Sequence, residues 1–145
     1  MVQVKHIMTA DVVTVGKNTP ISEVTELLMK NNITGMPVVE EDMTLVGVVT
    51  EKDVLRLFYA SGDAQNRTVS DFMTTPAVYF DENENLCDVC NCLMDNFFRR
   101  VPVTSHGKVI GIVSRRDMLA YMSEVEHDED AGQEPSELTS AGAAG

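Results

Sequence analysis

Gly47-Val48-Val49-Thr50-Glu51-Lys52-Asp53 returns further along the chain as Gly111-Ile112-Val113-Ser114-Arg115-Arg116-Asp117. In each copy a glycine opens an apolar run of strand character, a hydroxyl residue ends it, and a carboxylate follows three positions later. The pattern reads as a strand running straight into a helix. Working outward, the repetition covers most of the chain. Met8-Thr9 recurs as Met73-Thr74, Val13 as Val78, Val24…Leu28-Met29 as Val89…Leu93-Met94, and Pro37-Val38 as Pro102-Val103. Two related units usually pack against each other, because neither buries its apolar surface alone. A pseudo-twofold pair also makes a cleft with matching residues on both walls, which is where function is to be sought.

The first repeat predicts a short strand at 11–15 and a helix capped by Thr19, with Pro20 at its first position. That helix runs to about Asn31 and turns Ile21, Val24, Leu27 and Leu28 inward. A strand pair follows at 36–39 and 45–50, separated by Glu40-Glu41-Asp42. A second helix at 51–59 is expected to bury Val54, Leu55 and Phe58. The second repeat predicts the same plan: extended 77–80, helical 86–97, extended 101–104 and 109–114, helical 115–122. The order strand, helix, strand, strand, helix in each unit is an α+β arrangement. The expected organisation is a first unit at 1–62, a second at 63–123 with a polar linker at 60–66, and an acidic disordered tail at 124–145.

The chain has 145 residues, 43% of them apolar, enough for one compact core. No apolar run approaches the ~20 residues needed to span a bilayer, and the first residues do not form a signal peptide. A cytoplasmic protein is the expectation. The net charge of −12 argues against nucleic acid or an anionic membrane as partner. Seven of those negative charges fall from Glu124 onward, where no Lys or Arg stands.

The hydroxyl-x-x-carboxylate motif admits two readings. A helix start offers backbone N–H groups and a partial positive charge to a phosphate, Thr or Ser can donate to a phosphate or sugar oxygen, and the carboxylate can accept ribose hydroxyls. The same spacing is also that of a capping box, which only stabilises the helix. Duplication behind the same strand favours the nucleotide. Cys87, Cys90 and Cys92 do not converge as metal ligands on one helix, since Cys92 lies off the face shared by the other two. They read as half-buried free thiols. His6, His106 and His127 are isolated, so no catalytic residue and no metal site is expected.

The two repeats resemble a pair of cystathionine beta-synthase (CBS) domains, a Bateman module. The resemblance rests on Met-Thr at each start, on Ile33-Thr34-Gly35-Met36-Pro37-Val38-Val39 and Leu45-Val46-Gly47-Val48-Val49-Thr50 with Asp53. In the second repeat it rests on Phe98-Arg99-Arg100-Val101-Pro102-Val103 and Val109-Ile110-Gly111-Ile112-Val113-Ser114 with Asp117.

The resemblance implies a stand-alone, non-enzymatic regulatory protein. It would bind an adenosine-containing ligand such as AMP, ADP or ATP between the units, need no other cofactor, form a homodimer and signal to an unknown effector protein. The alternatives are an S-adenosylmethionine sensor and a ligand-free dimerisation module. One cleft would use Thr50 and Asp53 with Thr74, Val78, Phe98, Arg99 and Arg100. The other would use Ser114 and Asp117 with Thr9, Val13, Ile33, Thr34 and Gly35. Val13 and Val78 would flank adenine, the two Asp would hold ribose, and Thr50 and Ser114 would reach sugar or phosphate. Arg99 and Arg100 make the Asp53 cleft the expected phosphate site, with Arg115 and Arg116 available to the other.

Overall fold

The computed structural model describes residues 2–60, 66–95 and 99–130. Most of the expected linker, Phe98 and the tail beyond 130 lie outside the described residues. The chain divides into two compact units: Val12–Val78 with His106–Val109, and Met1–Asp11 with Tyr79–Ser105 and the chain from Ile110.

In the first of these, helix α1 (Ile21–Lys30) buries Ile21, Val24 and Leu28, the spacing of a single helical face. Its N-cap is Pro20 rather than Thr19. The Thr19 hydroxyl instead accepts from the Gly16 N–H at 3.1 Å and closes the preceding turn. Strands β1 (Gly35–Val39) and β2 (Leu45–Thr50) pair antiparallel, with Gly35 opposite Thr50 and Val38 opposite Gly47. Helix α2 (Glu51–Ala60) follows β2 without a break, and the one-turn helix α3 (Val69–Phe72) completes the set. The core joins Val15, Val24, Leu28, Met36, Val38, Val49 and Val69. The turn His106-Gly107, with φ of 53° and 80°, lends its edge here. The Leu45 N–H reaches the Gly107 carbonyl at 3.0 Å, and the Val109 N–H reaches that of Met43 at 2.9 Å. Two successive positive φ values are what a tight hairpin demands.

The expected strand at 11–15 shrinks to one parallel bridge, Val15 to Val38. Val15 donates to the Pro37 carbonyl and accepts from Val39. Two residues earlier the ladder would need an N–H from Pro37, which has none, so pairing stops. The expected inward face of α2 is also corrected. Val54 packs partly buried against the core as expected and Asp53 is the buried residue, whereas Leu55 and Phe58 are 66% and 75% exposed and Tyr59 is 94% exposed.

The other unit holds β3 (Phe80–Asp81), α4 (Leu86–Leu93), β4 (Arg100–Ser105), β5 (Lys108–Ser114) and α5 (Arg115–Asp130). The sheet order is β3-β4-β5, with β3 parallel to β4. Asn85 caps α4 by accepting from the Asp88 N–H at 3.0 Å, and α4 closes at Leu93 rather than 97. Helix α5 continues through Glu124 to Asp130, taking in the start of the expected tail. Glu is a good helix former, and no Gly or Pro interrupts the run. The core is Val4, Leu86, Val89, Leu93, Val101, Val103, Val113 and Met118.

The spatial units differ from the sequence repeats at the 106–109 turn and at the start of each repeat. The opening of each repeat packs in the unit built from the body of the other. Val69 is fully buried, and its N–H donates to the Thr19 carbonyl. Thr74 and Val48 exchange backbone bonds at 2.8 and 3.0 Å, and Thr9 and Ile112 do so at 2.8 and 2.9 Å. The repeated glycines make room for these approaches. A Cβ on Gly47 would meet the Thr74 carbonyl oxygen and Met73 Sδ at 3.0 Å, and one on Gly111 would meet Met8 Sδ at 2.5 Å and the Thr9 carbonyl oxygen at 3.0 Å.

Candidate functional site

The backbone passes from β2 into α2 at Thr50, and the two residues that begin and end this first turn bond reciprocally. Thr50 donates its N–H (2.9 Å) and hydroxyl (3.0 Å) to Asp53 Oδ2, and the Asp53 N–H donates back to Thr50 Oγ1 at 3.3 Å. The β5–α5 junction repeats this geometry: Ser114 N–H and hydroxyl reach Asp117 Oδ2 at 2.8 and 3.0 Å, and the Asp117 N–H reaches Ser114 Oγ at 3.3 Å. Each junction is therefore a capping box in fact.

A second hydroxyl distinguishes these boxes from ordinary caps. Thr74 Oγ1 donates to Asp53 Oδ1 at 3.1 Å and to Oδ2 at 3.3 Å. Thr9 Oγ1 donates to Asp117 Oδ1 at 2.9 Å. The Met-Thr that opens one repeat thus meets the carboxylate of the other, twice. Two trios result: Thr50, Asp53 and Thr74 in one unit, Ser114, Asp117 and Thr9 in the other.

The helix starts offer an anion fewer N–H groups than expected. The Thr50 and Asp53 N–H groups serve the capping box, and the Glu51 N–H reaches the Thr34 carbonyl at 2.9 Å. The Arg115 N–H reaches the Arg99 carbonyl in the same way at 3.4 Å. Most donors of the first turn are already bound, so side chains rather than the helix end must supply the grip on an anion.

Val13 and Ile33 pack, partly buried, against the core of the unit that holds Asp53. Thr34 and Gly35 stand beside Thr50 through the strand pairing and the Glu51 bond. Val78 is exposed, as are Arg99 and Arg100. Phe98 is outside the described residues. Arg115 is committed elsewhere: its Nε and Nη2 donate to the Leu93 and Asp95 carbonyls at 2.7 and 2.9 Å, closing the C-terminal end of α4. Arg116 remains exposed.

One residue escaped the sequence reading. The Arg56 guanidinium lies 3.6 Å from Asp53 Oδ1, with its side chain 74% exposed above a carboxylate that is 4% exposed. Its counterpart three positions after Asp117 is Ala120. A repeat-against-repeat comparison hides it, because only one copy carries the charge.

Cys87, Cys90 and Cys92 are half-buried and in no disulfide. Burial pushes the Cys90 thiol up, with Cys87 adding to the shift, and burial likewise raises Cys92, with Asp95 adding. Among the described residues no three His, Cys, Asp or Glu side chains gather as metal ligands. Among them, too, no helix is long and apolar enough to cross a membrane.

The CBS domain family model matches the chain at residues 4–60 and again at 69–124. Protein MJ1225 of Methanocaldococcus jannaschii is 33% identical over 119 residues, covering 82% of this chain and 42% of that protein. CBSX2 of Arabidopsis thaliana is 30% identical over 139 residues, covering 77% of this chain and 58% of its own length. The chain thus spans about half the length of these two relatives. A crystal structure of CBSX2 in complex with AMP superposes with a TM-score of 0.78 at 30% identity, over 87% of this chain and 99% of that one. The CBS domain pair of MJ0100, solved with 5′-methylthioadenosine and S-adenosyl-L-methionine, gives 0.72 at 26% identity, over 86% and 98%. The chain belongs to the CBS domain family and carries that domain twice, as a tandem pair.

Proposed function

We propose that this CBS pair is a regulatory module that binds an adenosine-containing ligand through its two hydroxyl–carboxylate trios. The observation that carries the reading is the duplicated arrangement of two hydroxyls and a backbone N–H around Asp53 and Asp117. A helix cap alone has no use for Thr74 or Thr9. Three donors fix the orientation of each carboxylate, whose oxygens can accept the paired hydroxyls of a ribose. Thr50 and Ser114 reach sugar or phosphate, and Val13 and Val78 offer apolar flanks to adenine. Arg99 and Arg100, both exposed, are suited to phosphate. The complexes of CBSX2 with AMP and of MJ0100 with adenosyl ligands support the same chemistry here.

The ligand acts by population shift: it favours the conformation it binds better, and by no more than that difference. The readout lies in an effector protein or in a homodimer. The exposed Leu55, Phe58 and Tyr59 of α2 offer an apolar face to a second copy. The ligand S-adenosylmethionine is favoured by one observation. Around Asp117, Ala120 stands where Arg56 stands in the other copy, and Arg115 is tied to α4, so phosphate is less well served there.

A thermal-shift panel of AMP, ADP, ATP, GTP and S-adenosylmethionine tests the reading. A ligand at about 100 times its dissociation constant adds roughly 2.7 kcal/mol of stability. An adenosine compound is expected to raise the melting temperature while GTP does not. Silence from every adenosine compound leaves the ligand-free scaffold.

A further inference from the structure

The two trios are alike in their hydroxyls but unlike in what else faces the carboxylate. A carboxylate has about four lone-pair positions. Asp53 receives the Thr50 N–H and hydroxyl, the Thr74 hydroxyl on both oxygens, and the Arg56 guanidinium at 3.6 Å. Its acceptor capacity is filled, and it is 4% exposed. Asp117 receives the Ser114 N–H and hydroxyl on Oδ2 and a single hydroxyl, from Thr9, on Oδ1. It is half-buried rather than buried, and Ala120 puts no charge beside it. Lys52 and Arg116 occupy matching positions and so do not separate the copies.

We propose that the two copies take different ligands: the Asp117 copy recognises the bare nucleoside, while the Asp53 copy requires a phosphate, with Arg56 making the difference. The inference rests on the adenosine reading above. A ribose approaching Asp53 must compete with Arg56 for Oδ1. The guanidinium is loosely held, exposed and at long range, so its attachment is weak. A phosphate offers it charge and bidentate geometry that a carboxylate already saturated with hydrogen bonds does not. Phosphate therefore draws Arg56 away and opens Asp53 to the sugar, whereas an uncharged nucleoside leaves the mask in place. Arg56 is a specificity determinant for AMP over adenosine in one copy only.

The test is the ratio of adenosine to AMP dissociation constants, measured by calorimetry in chains with one copy disabled. With Asp117→Asn, the remaining Asp53 copy is expected to prefer AMP strongly, and adding Arg56→Ala is expected to cut that preference by about tenfold. With Asp53→Asn, the remaining Asp117 copy is expected to bind both ligands with a small preference, and Arg56→Ala is expected to change nothing. Arg56→Ala in the otherwise unaltered chain, a surface change that leaves both caps intact, gives a second measurement: adenosine binding to the weaker site tightens. An AMP preference unchanged by Arg56→Ala, or reduced equally in both backgrounds, overturns the inference and leaves the adenosine reading standing. Absence of binding by both ligands to the unaltered chain overturns the adenosine reading and the inference with it.

Discussion

At the scale of single residues, Gly47 and Gly111 show how the fold constrains the motif. Each lies where the Met-Thr segment of the other repeat crosses the strand, with a backbone carbonyl 3.0 Å from the place a Cβ would take. Gly47→Ala and Gly111→Ala are expected to lower the unfolding free energy by about 1–3 kcal/mol each in urea titrations. Gly16→Ala, whose added Cβ has nothing nearer than 3.9 Å, is expected to change it by less than about 0.5 kcal/mol. Equal costs at all three positions would refute the close-approach explanation. The repetition of Gly, Met-Thr and hydroxyl-x-x-Asp was readable in the sequence, but the reason for it was not. The contact joins residues of different repeats, and no local spacing encodes that. Of the two readings of Thr50 and Asp53, the cap is seen in the structure, with a second hydroxyl, that of Thr74, added to it. Arg56 stayed hidden because its partner position holds Ala120.

At the scale of elements, helical periodicity identified α1 and α4, each of which buries one face, and short apolar runs identified β1, β2, β4 and β5, of which β1 and β4 are buried on both faces. Helix α2 shows the limit of that signal. An apolar stripe states that a face avoids water without stating what covers it, and Leu55, Phe58 and Tyr59 are exposed within the chain. If a second copy covers them, Phe58→Asp is expected to convert a dimer to a monomer in size-exclusion light scattering while leaving the circular dichroism spectrum unaltered. A monomer in both proteins would remove the α2 face as a self-association surface. Helix α4 supplies a pH test. The Cys90 and Cys92 thiols are raised above their ordinary value of 9.0, chiefly by burial. The unfolded chain therefore releases these protons first as pH rises, so their contribution to stability is intact below about pH 9 and is lost above it, up to the folded values. Urea midpoints are expected to fall more steeply as pH rises above about 9 for the unaltered chain than for Cys90→Ala with Cys92→Ala. Parallel curves would contradict this.

At the scale of the whole molecule, the repeat announced two related units, and two compact units are found. What the repeat did not announce is that each unit is closed by the opening segment of the other repeat. Val4 and Val69, both fully buried, are the apolar anchors of those segments. A consequence follows for the site: each carboxylate is completed by a threonine from the other repeat, so neither repeat alone assembles a trio. Calorimetric titration of AMP into the unaltered chain and into Asp53→Asn with Asp117→Asn tests the central claim most directly. The account predicts saturable binding to the unaltered chain that disappears in the double variant while its thermal unfolding remains cooperative. Binding that survives unchanged in a folded double variant would contradict it.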